Sequence, residues 1–164
     1  MQEFNALDYT LQDGVATITL NRPEVRNVLS VALKEDFARL FPALRDDPDI
    51  AVVILRGAGG VFCGGGDLKF LNAGERTTVR DRRRVHELHD WFQILLGLEK
   101  PVIAAVDGPA YGGGIGLISV CDVAIGVETA RFGLTETRLG LIPATIGPYV
   151  LARMGEAMAR RVFM

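Results

Sequence analysis

The sequence predicts an α/β fold with a mainly parallel sheet, and three observations predict it. Short apolar runs rich in β-branched residues recur along the chain, as buried strands do. Segments with apolar residues at helical spacing separate these runs. Glycine-rich turns follow two of the runs directly. Strands that alternate with helices favour a parallel sheet, because parallel neighbours need a long crossover connection.

Length and composition indicate one globular domain over residues 1–164. The chain is 49% hydrophobic and 23% charged, with a net charge of −2. This small charge gives no general attraction to nucleic acid or to an anionic membrane. The N-terminal residues are polar and acidic, and no segment is apolar over the length of a transmembrane helix. We therefore expect a cytoplasmic protein with no membrane or nucleic-acid partner.

The first half of the chain predicts a strand, a helix and a second strand. Residues 15–20, VATITL, alternate apolar residues with threonine, as a half-buried strand does. Apolar residues recur at helical spacing over 33–44, with Ser30 as the predicted N-cap. Pro42 is expected to kink or end that helix. Residues 51–57, AVVILRG, predict a fully buried strand.

The second half predicts a further helix and two further strands. Beyond glycine-rich and polar residues, the apolar spacing predicts a helix over 85–98. Residues 101–108, PVIAAVDG, predict a second buried strand, and residues 121–126, CDVAIG, a third. The chain ends within an amphipathic segment that has no stop signal, so we expect further helices beyond it.

Two glycine-rich turns follow the first two buried strands: CGGGD at 63–67 and YGGGIG at 111–116. Glycine permits positive φ and close approach of a ligand, and a helix that begins there exposes unpaired N–H groups. One such turn alone is usually a tight connection. Two N–H groups that converge on one oxygen are the arrangement that stabilises a thioester carbonyl as it becomes an enolate. Neither turn has the glycine pattern of a nucleotide-binding loop.

Four segments together resemble the enoyl-CoA hydratase/isomerase (crotonase) family. The last of them is most similar to the bacterial branch that includes methylglutaconyl-CoA hydratases and related hydratases of branched or carboxylated enoyl-CoA. The resemblance implies the ClpP/crotonase fold, a spiral of repeated β-β-α units whose C-terminal helical part this chain lacks. It also implies a homotrimer, or a hexamer of two trimers. The segments are ITLNRPEVRNVLS (18–30), GAGGVFCGGGDLKFL (57–71), KPVIAAVDGPAYGGGIGLISVCDVAIG (100–126) and FGLTETRLGLIPATIGPYVLARMG (132–155).

The resemblance also implies roles for individual residues. The family's oxyanion hole consists of two backbone N–H groups, which are here those of Gly66 and Gly113. Coenzyme A is part of the substrate, so neither a separate cofactor nor a metal is implied. The residues that match the segments around coenzyme A are Arg26, Gly64, Gly65, Asp67 and Leu68.

Glu136 is the candidate acid and base. Well-known hydratases of the family use two glutamates, of which FGLTE supplies one as Glu136, whereas Gly116 stands in place of the other. A single partly buried carboxylate beside a thioester is enough to activate water or to move a proton between carbons. A hydratase is the leading expectation. The alternatives are an isomerase that uses Glu136 alone and a non-catalytic acyl-CoA-binding protein.

Several other residues have a predicted role. Arg138 is a candidate partner for a distal carboxylate on the acyl chain. Without the motif, Glu136 would be expected to pair at the surface with Arg138 or Arg131. Asp122, like Asp67, is expected to bind backbone N–H groups. The two cysteines, Cys63 and Cys121, are expected to be small buried residues with free thiols.

The histidines and the basic residues near them predict no binding site. His86 and His89 are the only histidines, and they lack the further ligands that a metal site needs. The alternatives for the basic run at 80–86 are contact with the phosphates of coenzyme A, contact with a carboxylated acyl group, and RNA binding, but the run lacks the interleaved aromatic residues that stack on bases. Both features are typical of a solvated helix face.

Overall fold

A computed structural model describes residues 3–67 and 89–163, which form a five-stranded sheet, a two-stranded sheet and flanking helices. In the five-stranded sheet only the first two strands along the chain pair antiparallel, and all the other neighbouring strands run parallel. The predicted α/β class with a mainly parallel sheet is therefore confirmed. The five-stranded sheet has the order β1 (Leu7–Gln12), β2 (Val15–Leu20), β3 (Val52–Gly57), β4 (Val102–Val106) and β6 (Val123–Gly126), and β5 (Ala110–Tyr111) pairs with β7 (Phe132–Gly133).

Helices connect these strands. Ser30 caps the first helix, because its side chain accepts a hydrogen bond from the Leu33 N–H at 3.2 Å. The helices are α1 (Val31–Asp46), α2 (residues 89–96 among those described), α3 (Gly113–Val120), α4 (Gly147–Met154) and α5 (Glu156–Phe163), and 3₁₀ turns span Pro23–Val25 and Glu136–Leu139.

Pro42 does not end α1, which continues to Asp46. Phe41 and Leu44, on either side of this proline, are both buried. Proline removes one hydrogen bond of the helix. The packing of Phe41 and Leu44 in the core compensates for this loss and stabilises the last turn.

Two strands differ from the sequence prediction. β1 was not predicted, because only its first residue, Leu7, is buried. β6 was predicted as a buried strand, but Val123 is 46% and Ile125 is 63% exposed. β6 is the last strand of the sheet and pairs with β4 alone, so the described residues leave its faces open. The apolar residues of β6 are therefore not buried within the described part of the chain, although their composition predicted that they would be.

The sheet brings the two glycine-rich turns to one edge. β3 and β4 are parallel neighbours, with Leu55 opposite Ala104. Both strands therefore end at the same edge, where open parallel sheets bind their ligands. The chain that leaves β3 enters the first turn, and the chain that leaves β4 enters the second.

Candidate active site

A short strand pairing fixes the first turn against the second. Cys63 and Ala110 form an isolated parallel bridge. The Tyr111 N–H donates to the Cys63 carbonyl at 2.9 Å, and the Cys63 N–H donates to the Pro109 carbonyl at 3.3 Å. The main chain of one turn therefore sets the position of the other.

Gly66 directs its N–H away from the segment that supports it. Leu29 forms a parallel bridge with Gly66, and the Leu29 N–H donates to the Gly65 carbonyl at 2.8 Å. In a parallel bridge of this kind, Leu29 hydrogen-bonds to the residues before and after Gly66 and not to Gly66 itself. The N–H of Gly66 then points to the opposite side of its strand. The Gly66 N–H, one of the two predicted donors, therefore points away from Leu29.

Gly113 supplies the second donor. It is the first residue of α3, so its N–H belongs to the unpaired groups at a helix N-terminus. Gly112 precedes it with a φ of +47°, a conformation that favours glycine. The turns touch at this point, because a Cβ on Gly65 would lie 3.5 Å from the Gly113 nitrogen. The structure therefore brings both predicted donor segments together.

The segments predicted to surround coenzyme A also meet here. The Gly64 N–H donates to the Arg26 carbonyl at 2.7 Å, and a Cβ on Gly64 would lie 3.1 Å from the Arg26 Cβ. The Arg26 side chain is exposed and Asp67 is partly buried. Leu68 lies outside the described residues. Arg26 and the first turn thus form one continuous surface.

Asn27 holds this loop in place, and the sequence reasoning missed it. Its buried amide group donates to the Ala58 carbonyl at 2.9 Å and to the Val61 carbonyl at 2.7 Å, and its oxygen accepts the Arg22 N–H at 2.8 Å. Its φ is +52°, which asparagine adopts more readily than most residues. The available signal was an asparagine at the end of NRPEVRN, a turn whose polar side chains bind nearby backbone.

Glu136 lies against the start of α3. Its Oε1 atom would be 3.2 Å from a Cβ on Gly112, the N-cap residue of that helix. The side chain is partly buried, and no described residue hydrogen-bonds its buried Oε2 atom. This burial raises the pKa of Glu136, and a hydrogen bond to its own backbone opposes the rise in part. A carboxyl group in this state can both accept and return a proton.

Arg138 shares the 3₁₀ turn with Glu136, and its side chain is exposed. No ion pair found among the described residues joins Glu136 to Arg138 or to Arg131. The surface pairing that would have made Glu136 an ordinary exposed carboxylate is therefore not formed within this part of the chain.

The position of the second family glutamate has no room for a side chain. The Gly116 N–H donates to the Gly112 carbonyl at 3.3 Å, so position 116 lies one helical turn beyond Gly112. A Cβ at this position would lie 2.6 Å from Ile146 Cγ2 and 2.7 Å from Phe92 Cζ. Both neighbouring side chains are buried. The sequence did not reveal these two contacts.

The remaining predicted residues are structural in the described ranges. The Asp122 carboxylate accepts the Val102 N–H at 2.7 Å, which confirms its expected role. Cys63 and Cys121 are buried free thiols, as predicted, and burial raises the pKa of each to about 12.

Residue 86 and the basic run at 80–86 lie outside the described residues, whereas His89 is exposed on α2. Across residues 3–67 and 89–163, no group of His, Cys, Asp and Glu side chains is arranged to hold a metal ion. None of the helices in these ranges combines the length and apolarity needed to cross a membrane.

Comparison with known proteins gives matches over nearly the whole chain. The sequence profile of the family described as enoyl-CoA hydratase/isomerase matches residues 10–164. Enoyl-CoA hydratase AKT6-1 of Alternaria alternata is 36% identical over 160 residues, which are 98% of this chain and 52% of that protein. The chain thus spans about half the length of the curated relatives that it matches.

Solved structures agree with this result. An enoyl-CoA hydratase from Shewanella pealeana superimposes with a TM-score of 0.92 at 32% identity, over 98% of this chain and 61% of its own. AtuE of Pseudomonas aeruginosa gives a TM-score of 0.92 at 38% identity, over 98% of this chain and 62% of its own. These matches confirm the crotonase fold that the sequence predicted.

Proposed function

This chain belongs to the enoyl-CoA hydratase/isomerase family, and from that premise we propose that the protein adds water reversibly across the 2,3 double bond of an enoyl-CoA thioester. One observation carries the proposal. The partly buried Glu136 carboxylate lies against Gly112, directly before the N–H of Gly113 at the start of α3. An acid or base and a helix N-terminus that binds negative charge are therefore adjacent.

The two backbone donors stabilise the developing charge. The N–H groups of Gly66 and Gly113 bind the thioester oxygen, which becomes an enolate oxygen when water adds to C3. Backbone pairings hold both turns before substrate arrives, so the donors need little reorganisation during the reaction. Loss of one such donor costs about 10²- to 10³-fold in turnover.

Glu136 moves the protons. The ionised carboxylate takes a proton from water while the water oxygen forms a bond to C3 and the C2–C3 π electrons move toward the thioester oxygen. The protonated carboxyl then gives its proton to C2, the carbonyl reforms, and Glu136 returns to its ionised state. The raised pKa of Glu136 makes its carboxylate a stronger base, which favours the step that removes a proton from water.

The coenzyme A portion of the substrate binds along Arg26 and the first glycine turn. Gly64 and Gly65 offer backbone groups there, and Asp67 with Leu68 continues the predicted segment. The Arg26 side chain is exposed, and its guanidinium would pair with a phosphate of coenzyme A. Assembly as a homotrimer or hexamer and a cytoplasmic location belong to the same proposal.

Arg138 supplies a hypothesis about the acyl group. Its exposed guanidinium lies two residues beyond Glu136 and would pair with a distal carboxylate, as in a methylglutaconyl-type substrate. We expect Arg138→Ala to reduce kcat/KM for a carboxylated enoyl-CoA and to leave an uncharged one nearly unchanged. The exposed Arg131→Ala serves as the matched control. An equal loss on both substrates would contradict this role for Arg138.

A second candidate reaction is isomerisation, in which Glu136 moves a proton from C2 to C4. The filled position at Gly116 favours it, since isomerisation requires only one carboxylate. Ultraviolet absorbance of the conjugated thioester separates the candidates. Decay with crotonyl-CoA indicates hydration, and growth with a 3-enoyl-CoA indicates isomerisation. No change with either substrate would indicate a non-catalytic acyl-CoA-binding protein instead.

A further inference from the structure

Two separate elements close the place where a second carboxylate would stand. Phe92 comes from α2, and Ile146 directly precedes α4. Their side chains meet at Gly116, where any Cβ would come within 2.7 Å of each. Gly116 lies one turn of α3 beyond Gly112, against which the Glu136 carboxylate packs, so the apolar wall and this carboxylate lie at the same end of the helix.

Phe92 is itself held in position. The Tyr149 ring packs edge-on against it, with ring centroids 5.2 Å apart and planes inclined by 60°. The Tyr149 hydroxyl accepts a hydrogen bond from Gln93 Nε2 at 2.9 Å and lies 2.8 Å from His89 Nδ1. These hydrogen bonds join α2 to α4 and hold the Tyr149 ring in place. The Tyr149 ring in turn holds the Phe92 ring.

We propose that Phe92 is a specificity-determining residue: it closes position 116 to carboxylate and water, and so makes Glu136 the single proton carrier of the site. The inference rests on the proposed function, because it assigns to Phe92 the balance between hydration and isomerisation at the Glu136 site. Water beside an aromatic ring and an isoleucine methyl finds no hydrogen-bond partner, so the wall keeps this side of the acyl group dry. Water approaches only from the side of Glu136.

The first test measures whether the wall fills position 116. In the full chain, we expect Gly116→Ala to lower Tm by about 4 °C, because the new methyl group overlaps Phe92 and Ile146. The loss should become smaller in a Phe92→Leu background, which removes the Cζ atom, and likewise in an Ile146→Ala background.

Gly147→Ala is the matched control, since a Cβ there would meet only Phe163 at 3.8 Å, and Tm should not fall. An equal loss of Tm from Gly116→Ala in every background would overturn the proposal.

The second test measures the choice of reaction. Phe92→Asn opens space beside Gly116 and adds an amide group that binds water there, so the ratio of hydration of crotonyl-CoA to isomerisation of a 3-enoyl-CoA should rise about tenfold. Phe92→Leu is the matched control, because the space that it opens stays apolar and dry, and it should leave the ratio unchanged. An unchanged ratio in Phe92→Asn would overturn the role in specificity.

Failure of the proposed function gives a different result. If the unaltered protein transforms neither thioester, hydration and isomerisation are both wrong, whereas the coupling of Tm between positions 92 and 116 still decides whether Phe92 closes the place of the second acid. Uncoupled Tm changes would overturn the inference even in an active enzyme.

Discussion

The two halves of the candidate site are built differently. The donor half is main chain, positioned by the pairing of Cys63 with Ala110 and of Leu29 with the Gly65–Gly66 turn. The acid half is the single side chain of Glu136, and an apolar wall stands one helical turn away at Gly116. The donor half therefore depends on the absence of Cβ atoms, whereas the acid half depends on one functional group. Substitutions should separate the two halves clearly.

Glu136→Gln should have the largest effect. It keeps the shape of the side chain but removes the proton acceptor, so we expect turnover to fall by about 10²- to 10⁴-fold. Steady-state assays with enoyl-CoA substrates measure the loss. The exposed Glu128→Gln is the control and should retain full turnover. Turnover of Glu136→Gln within a few-fold of the unaltered protein would show that the acid half lies elsewhere.

Within the donor half, Gly65→Ala should be more harmful than Gly113→Ala. Gly65 has a φ of +96°, and a Cβ there would lie 2.9 Å from the Tyr111 carbonyl oxygen, which is main chain and cannot easily move. A Cβ on Gly113 meets the Leu29 Cδ1 atom at 2.7 Å, the end of a flexible side chain. We expect about a 10²-fold loss of kcat/KM for Gly65→Ala and a smaller loss for Gly113→Ala.

The reverse order of these two losses would mean that the contact between the turns does not position the donors. A circular dichroism spectrum of each variant should accompany the kinetics. It separates loss of the donor geometry from loss of the fold.

The sequence predicted the donor half more completely than the acid half. A glycine-rich turn directly after a buried strand is a local pattern, and two parallel strands bring two such turns to one edge. The neighbours of Gly116 are not local, because Phe92 and Ile146 come from different elements. The sequence therefore showed that a carboxylate is missing at position 116, but not that other side chains occupy its space.

The strands show the same limit. Residues 15–20 were predicted as they occur in β2, because their alternation is a local signal. β1 was missed, although the Asp13–Gly14 pair, with φ values of 50° and 78°, is typical of a tight hairpin. The exposure of β6 depends on which other elements cover it, and composition does not carry that information.

The pH dependence of turnover should reveal the environment of Glu136. Hydration needs the ionised carboxylate, and burial raises its pKa, so kcat/KM should fall as pH decreases through that raised value. The fall should begin at a higher pH than the value of about 4.3 that an ordinary glutamate shows. A kcat/KM profile that stays flat down to the ordinary value would mean that Glu136 is well hydrated in the free enzyme.

The smallest expected effect is on stability. In the unfolded chain the pKa of Glu136 is that of an ordinary glutamate, about 4.3. In the folded protein burial raises the pKa of Glu136 above this ordinary value. Ionisation therefore destabilises the folded state as pH rises through the window between the two values. Glu136→Gln avoids this cost, so its Tm should equal that of the unaltered protein below the window and exceed it by about 1 to 2 °C above. Calorimetry across this pH range measures the difference, and the exposed Glu128→Gln should show none. A lower Tm for Glu136→Gln at neutral pH would mean that the carboxylate stabilises the fold, and the acid half would then be structural as well as chemical.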